Sequence, residues 1–174
     1  STRILKMSGK SHADISRTIP LTGIQLRSVP GGYLAQARDM LPPNALVTEV
    51  VSNRQPTEGE MIQLRFAWRT VKHVKSNAIV RARESSLVGV GAGQMNRVDS
   101  VFMAVRRAGD RAAGSVLASD AYFPFADGPE VALEAGVEAI IEPGGSKGDQ
   151  DVLDAANRHG AVLVFTDGER HFWH

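Results

Sequence analysis

The sequence predicts an α/β chain: a three-layer α/β/α sandwich built on a mixed sheet. Two observations carry this. From Thr57 onward, short β-branched runs alternate with segments of helical period, the pattern of helices packed on the faces of a sheet. Two apolar runs, 78–82 and 87–90, are separated only by polar residues and read as a hairpin, so the sheet is mixed rather than purely parallel. Residues 1–45 read as an N-terminal extended segment or linker, and 46–174 as the α/β unit.

Taken in order, 3–7 reads as a short strand and 8–18 as a polar loop. Residues 24–29 and 33–37 are extended segments around Pro30, Gly31 and Gly32, a turn signal. Pro42 and Pro43 break the chain, and the β-branched run 46–51 is the next strand. Thr57 followed by Glu60 is a capping-box signature. Met61, Leu64, Trp68, Val71 and Lys72 then keep helical spacing, giving a helix over 59–75. After the hairpin come a helix at 97–112, a strand at 116–118, a helix at 128–135 ended by Gly136, a strand at 137–141, a helix at 149–159 ended by Gly160, and a last strand at 161–165.

Composition limits the function. A chain of 174 residues with 43% hydrophobic content fits one domain with a real core, alone or with a small appendage. A net charge of +1 gives no general pull toward nucleic acid or an anionic membrane. The absence of cysteine excludes disulfides, thiolate catalysis and thiolate metal sites, and agrees with a cytoplasmic protein. No apolar run reaches membrane-spanning length. The chain opens on Ser1 rather than methionine, and is read as trimmed or as a piece of something longer.

The most informative stretch is 118–128. Tyr122, Phe123 and Phe125 bracket Pro124, with Asp120 and Asp127 outside them. Proline fixes its own φ and pushes Phe123 toward an extended backbone, giving a stiff loop of flat apolar faces beside carboxylates. It suits a flat aromatic ligand such as a pterin or purine; the alternative is a plug on one end of the core. The glycine run 89–93 leads from a strand toward a helix and reads either as a close approach to an anionic ligand, with Gln94 and Arg97 at the helix start, or as a tight turn. In the second glycine turn, 143–148, Ser146 and Lys147 are placed to meet a carboxylate or phosphate, unless Ser146 or Asp149 merely caps the following helix. Lys72 and His73 suit a helix C-terminus better than an acid/base pair. Asn77 is the stronger candidate there, because an amide donates and accepts at once. In the tail, Arg170 offers a bidentate phosphate contact, while His171 and His174 lack the company of a metal site.

FAWRTVKHVKSNAIV (66–80), VGVGAGQMNRVDSV (88–101), LASDAYFPFADG (117–128), EPGGSKGD (142–149) and RHFWH (170–174), in this order, together with GGYLAQARD (31–39), resemble the C-terminal part of AICAR transformylase, the formyl-transfer half of the bifunctional AICAR transformylase/IMP cyclohydrolase (PurH) family. The resemblance implies cytidine-deaminase-like α/β/α units and a cytoplasmic homodimer with sites at its interface. It implies formyl transfer from 10-formyl-tetrahydrofolate to the AICAR amine in purine biosynthesis. Asn77 would contact AICAR and take the catalytic part available in this segment. Arg97 and Arg170 would bind the polar groups of AICAR, Arg170 near the phosphate, with Tyr122 approaching the same nucleotide. Val98, Asp127, Ser146 and Lys147 would lie on the folate side, with Phe123, Pro124 and Phe125 as the wall against the pterin. Ser76 and Asp120 fall near a structural potassium ion in the family.

The family's principal Lys-His motif belongs to a preceding half absent from this sequence, so the missing N-terminal half is an expected partner. The sequence also departs from the family pattern. Ala126 stands where arginine is common, Asn96 where serine is usual, Lys147-Gly148 where Ile-Arg is common, and the tail carries one residue more than usual before Arg170. The alternative reading is a non-catalytic nucleotide- or folate-binding or assembly subunit of the same fold. Arg97→Ala is expected to weaken AICAR binding with little loss of stability.

Overall fold

The computed structural model describes residues 24–37 and 46–168. They fall in two units, each taken by itself. The first holds a hairpin of β1 (Ile24–Val29) and β2 (Gly32–Ala37), paired antiparallel with Val29 opposite Gly32. Its turn falls on Pro30 and Gly31, where φ at Gly31 is +83°, a conformation glycine adopts without penalty. The strand expected at 3–7 and the loop at 8–18 lie outside the described residues, as does Arg170 with the rest of the tail.

The second unit runs β3 (Glu49–Val50), α1 (Glu58–Val71), β4 (Ile79–Arg83), β5 (Ser86–Gly91), α2 (Arg97–Ala108), a 3₁₀ turn (Gly109–Ala112), β6 (Ser115–Ser119), α3 (Asp127–Glu134), β7 (Val137–Glu142), α4 (Asp149–Arg158) and β8 (Val162–Phe165). Six strands form one sheet in the order β3-β8-β7-β6-β4-β5. β6, β7 and β8 are parallel, while β3, β4 and β5 pair antiparallel with their neighbours, so the sheet is mixed.

The pleat sorts the apolar residues into two layers of core. Ile79, Leu117, Ile140 and Leu163 point to one face, where Val101 and Ala104 of α2, Ala132 and Leu133 of α3 and Val152, Ala155 and Ala156 of α4 cover them. Val80, Val116, Ala118, Ala139, Ile141, Val162 and Val164 point to the other, under Leu64, Ala67, Trp68 and Val71 of α1. Helices on both faces make the three layers.

α1 begins as its sequence requires. Thr57 Oγ1 accepts from the Glu60 amide at 3.2 Å and Glu60 Oε2 accepts from the Thr57 amide at 2.7 Å. Arg54 grips the same carboxylate with both terminal nitrogens, at 3.1 and 2.6 Å, and this holds Glu60 below the usual carboxylate range. The helix ends four residues before the expected 75. The amides of His73 and Val74 bond back three residues, and Lys75 O then accepts from the Gly93 amide at 2.8 Å, so this backbone is already committed to the segment beside it. The second helix stops at Ala108 rather than 112, because Gly109 turns to φ +54° and the chain tightens into 3₁₀. The strand expected at 46–51 shortens to two residues at the sheet edge.

Arg81 is fully buried in β4. Ser115 Oγ accepts from its Nε and Nη2 at 3.1 and 2.8 Å, and Ala112 O accepts from Nη2 at 2.7 Å. Burial lowers its pKa to about 10, so it stays cationic at neutral pH, facing the carbonyl end of the 3₁₀ turn.

Candidate functional site

The carboxyl ends of β6, β7 and β8 and the N-termini of α2, α3 and α4 share one end of the sheet, the usual place for ligands in open α/β folds. There a cleft of about 360 Å³ is lined by Asn77, Asn96, Arg97, Ala121, Tyr122 and Pro124. Asn77 reaches it from the start of β4, Arg97 from the first turn of α2, and Ala121, Tyr122 and Pro124 from the loop after β6.

Arg97 organises the cleft. Nη2 donates to Asn77 Oδ1 at 2.9 Å, and Nη1 donates to Ser119 Oγ at 3.0 Å and to Asp120 Oδ1. Asp120 is fully buried, and its Oδ1 also accepts from the Ala78 amide at 3.1 Å. The arginine side chain is only 9% exposed. It is therefore half of a buried ion pair, and its removal breaks that pair; the expected small effect of Arg97→Ala on stability is corrected on this ground. Asn77 Nδ2 donates to Gln94 O at 3.0 Å. A carboxamide has two donors and two lone pairs, so one N–H and one lone pair of Asn77 remain for a ligand.

The aromatic loop divides. Phe123 is 1% exposed, its ring against Gly128 and Val101; a Cβ on Gly128 would lie 2.9 Å from that ring. Phe123 is thus a core plug and does not join the expected wall. Pro124 and Phe125 are exposed, and Tyr122 is half-buried. Val98 is half-buried on α2, and exposed Asp127 opens α3, where its Oδ1 accepts from the Gly128 amide at 2.7 Å.

The glycine runs make room for neighbouring backbone. A Cβ on Gly89 would come within 2.1 Å of Ala104 O and one on Gly91 within 1.9 Å of Ser100 O, so these glycines let β5 lie against α2. The start of α2 is capped by Asn96, whose side chain accepts from the Asp99 amide at 2.8 Å. In the turn 143–148, the Gly145 and Ser146 amides donate to Asp149 Oδ2 and Oδ1 at 2.7 and 2.9 Å, and Ser146 Oγ accepts from the Gly148 amide at 3.0 Å. Ser146 is half-buried and Lys147 exposed. A Cβ on Gly148 would lie 2.4 Å from Pro124 O, so this turn packs directly on the aromatic loop.

Among the described residues no group of three or more His, Cys, Asp and Glu is arranged to hold a metal ion. Half-buried Ser76 adjoins Asn77. Asp120 is fully buried and paired with Arg97.

Sequence reasoning missed Glu142. It closes β7, is fully buried, and accepts from the Phe123 amide through Oε2 at 2.6 Å. Desolvation raises its pKa to about 8, against the opposing effects of that amide and of Arg97. The available signal was a carboxyl ending an otherwise apolar strand directly before a glycine turn.

No helix among the described residues is long and apolar enough to cross a membrane. The family described as the AICARFT/IMPCHase bienzyme matches residues 1–107. The chain is 56% identical over 161 residues to the bifunctional purine biosynthesis protein PurH of Chloroflexus aurantiacus, covering 89% of this chain and 31% of that protein. It is 53% identical over 150 residues to the protein of that name from Oceanobacillus iheyensis, covering 86% and 29%. Among solved structures, Acinetobacter baumannii RibD is similar at a TM-score of 0.41 and 16% identity, over 62% of this chain and 34% of that one. The chain spans about a third of the length of the curated relatives it matches. A family match over more than half the sequence, with relatives more than half identical across most of it, places this chain in the AICARFT/IMPCHase bienzyme family.

Proposed function

We propose that the chain is the C-terminal segment of AICAR formyltransferase, which moves a formyl group from 10-formyl-tetrahydrofolate to the AICAR amine in de novo purine (IMP) biosynthesis. The cleft carries the reading. Asn77, Arg97 and Tyr122, which family resemblance assigns to the nucleotide, line one cavity with Pro124. The turn bearing Ser146 and Lys147 packs on the loop bearing Pro124 and Phe125, so the residues assigned to folate adjoin those assigned to AICAR.

The folate supplies the formyl carbon; this segment binds and orients. The remaining donor and acceptor of Asn77 match a carboxamide or an aromatic amine, and holding that amine against an acyl carbon is a large part of what such a transfer requires. Arg97 supports Asn77. Pro124 and Phe125 offer apolar faces to a pterin, with Val98, Asp127, Ser146 and Lys147 as its further contacts. The principal proton-transfer residues belong to the part of the enzyme outside this segment. Exposed Met95, Phe102 and Phe125 support association with that part or with a second copy, in keeping with a cytoplasmic homodimer of cytidine-deaminase-like units.

The test is formyl transfer by the polypeptide that carries this segment in full, followed by Asn77→Ala. The alanine variant is expected to lose about ten- to hundredfold in kcat/KM for AICAR, roughly 1.4–2.7 kcal/mol of transition-state binding. Wild-type protein that neither binds AICAR nor turns it over rejects the reading. Binding of both ligands without turnover identifies the non-catalytic binding subunit instead.

A further inference from the structure

Glu142 is used by none of these assignments, yet it stands where the two loops meet. Its side chain is fully buried, Oε2 accepts from the Phe123 amide at 2.6 Å, and Oε1 has no hydrogen-bond partner. Burying a carboxyl with one oxygen unsatisfied is costly, and an apolar residue in its place would leave the Phe123 amide without its acceptor. The carboxyl is therefore best explained by what it holds.

It holds the aromatic loop. Three tethers act on Phe123 and Pro124. The Phe123 ring is seated on Gly128 of α3, its amide is bound by Glu142 at the end of β7, and Pro124 O lies against Gly148 at the end of the glycine turn. The flanking side chains, Tyr122 and Phe125, are half-buried and exposed. Of the three tethers, only the carboxyl is a directed bond, and it joins the loop to the strand from which the glycine turn springs. Arg97 of α2 and Asp149 of α4 are the charged groups whose fields reach it, and each belongs to one of the two half-sites.

We infer that Glu142 is a positioning residue of the formyl-transfer site: its bond to the Phe123 amide fixes the height of the 122–125 loop between the nucleotide cleft and the glycine turn. This rests on the transformylase reading. Displacement of a positioning element by about 1 Å costs on the order of a hundredfold in rate.

The experiment compares Glu142→Leu and Glu142→Gln in the polypeptide that carries this segment in full, with kcat, KM and Tm for each. Leucine fills the space without an acceptor; glutamine still accepts from the Phe123 amide. Glu142→Leu is expected to lower kcat/KM about ten- to hundredfold at temperatures where the variant remains folded, and Glu142→Gln to restore it to within about threefold. Should the leucine variant not fold, Glu142→Met is the second apolar probe. Full activity in the apolar variant overturns the inference, as does a loss in both variants that simply follows Tm. An inactive wild type rejects the transformylase reading instead. In that case hydrogen exchange of the Phe123 amide decides the tether: faster exchange in the apolar variant upholds it, and unchanged exchange refutes it.

Discussion

Arg97→Ala tests whether the cleft is built on a buried ion pair. Asp120 is completely enclosed and the arginine nearly so. Truncating the arginine takes from this buried carboxylate the charged side chain that Ser119 and Asn77 also engage, and breaking a buried pair costs about 3–5 kcal/mol. Domain stabilities are themselves about 5–15 kcal/mol, so a fifth or more of the total is at stake. At roughly 4 °C per kcal/mol for a unit of this size, Tm should fall by about 10–20 °C. Urea denaturation of wild type and variant, compared at equal m, measures the loss. Asp120→Asn in the Arg97→Ala background removes the buried negative charge and keeps an acceptor for the Ala78 amide, so it should recover a substantial part. Arg97→Lys should fall between, since an ammonium keeps the charge but cannot bridge Asn77, Ser119 and Asp120 with one planar fork. A loss below about 1 kcal/mol in Arg97→Ala, or no recovery in the double variant, would refute the argument.

Glu142 makes stability depend on pH in an unusual direction. Its carboxyl titrates near 8 when folded, against 4.5 ordinarily, so between these values the folded state holds a proton that the unfolded state has lost, and stability falls as pH rises through that window. The full span corresponds to about 5 kcal/mol, and Glu142→Gln should flatten this part of the profile; parallel curves for the two proteins at pH 5 to 8 would contradict it. Gly91→Ala should be far worse than Gly93→Ala by thermal denaturation. The first drives a Cβ to 1.9 Å from Ser100 O, whereas the second meets only Lys75 Cδ at 3.9 Å and bears a positive-φ penalty of about 1–2 kcal/mol. Thr57→Ala should cost about 1 kcal/mol by removing the cap of α1, measurable by urea denaturation; a neutral result would mean that the grip of Arg54 on Glu60 alone holds the helix start.

The layers were legible because they rest on local period. Alternation along 79–80, 116–118, 139–141 and 162–164 assigns each strand residue to a face, and the spacing of Leu64, Trp68 and Val71 assigns α1 to one of them. The capping box of Thr57 and Glu60 was legible for the same reason, since both partners lie within four residues. Element ends were less so. α1 stops early because the Lys75 carbonyl pairs with Gly93, a partner 18 residues on that no window over the helix contains.

The site divides along the same line. Asn77, Arg97 and Tyr122 are singled out by ordered motifs, but what each does in the fold depends on bonds across long stretches of chain: Arg97 to Asp120 over 23 residues, and Phe123 to Glu142 over 19. Composition shows three aromatics around a proline; it cannot show that one ring turns inward onto Gly128 while another stays in solvent. The glycines make the point most sharply. Gly89 and Gly91 read as room for a ligand, and they are room for a helix, because the atoms nearest a Cβ there are carbonyl oxygens of α2. Gly148 makes room too, but for the carbonyl of Pro124, which joins two loops into one wall. One residue type thus serves two ends, and what decides between them is the identity of the atom facing the absent side chain, a fact about tertiary contact that the motif itself does not contain.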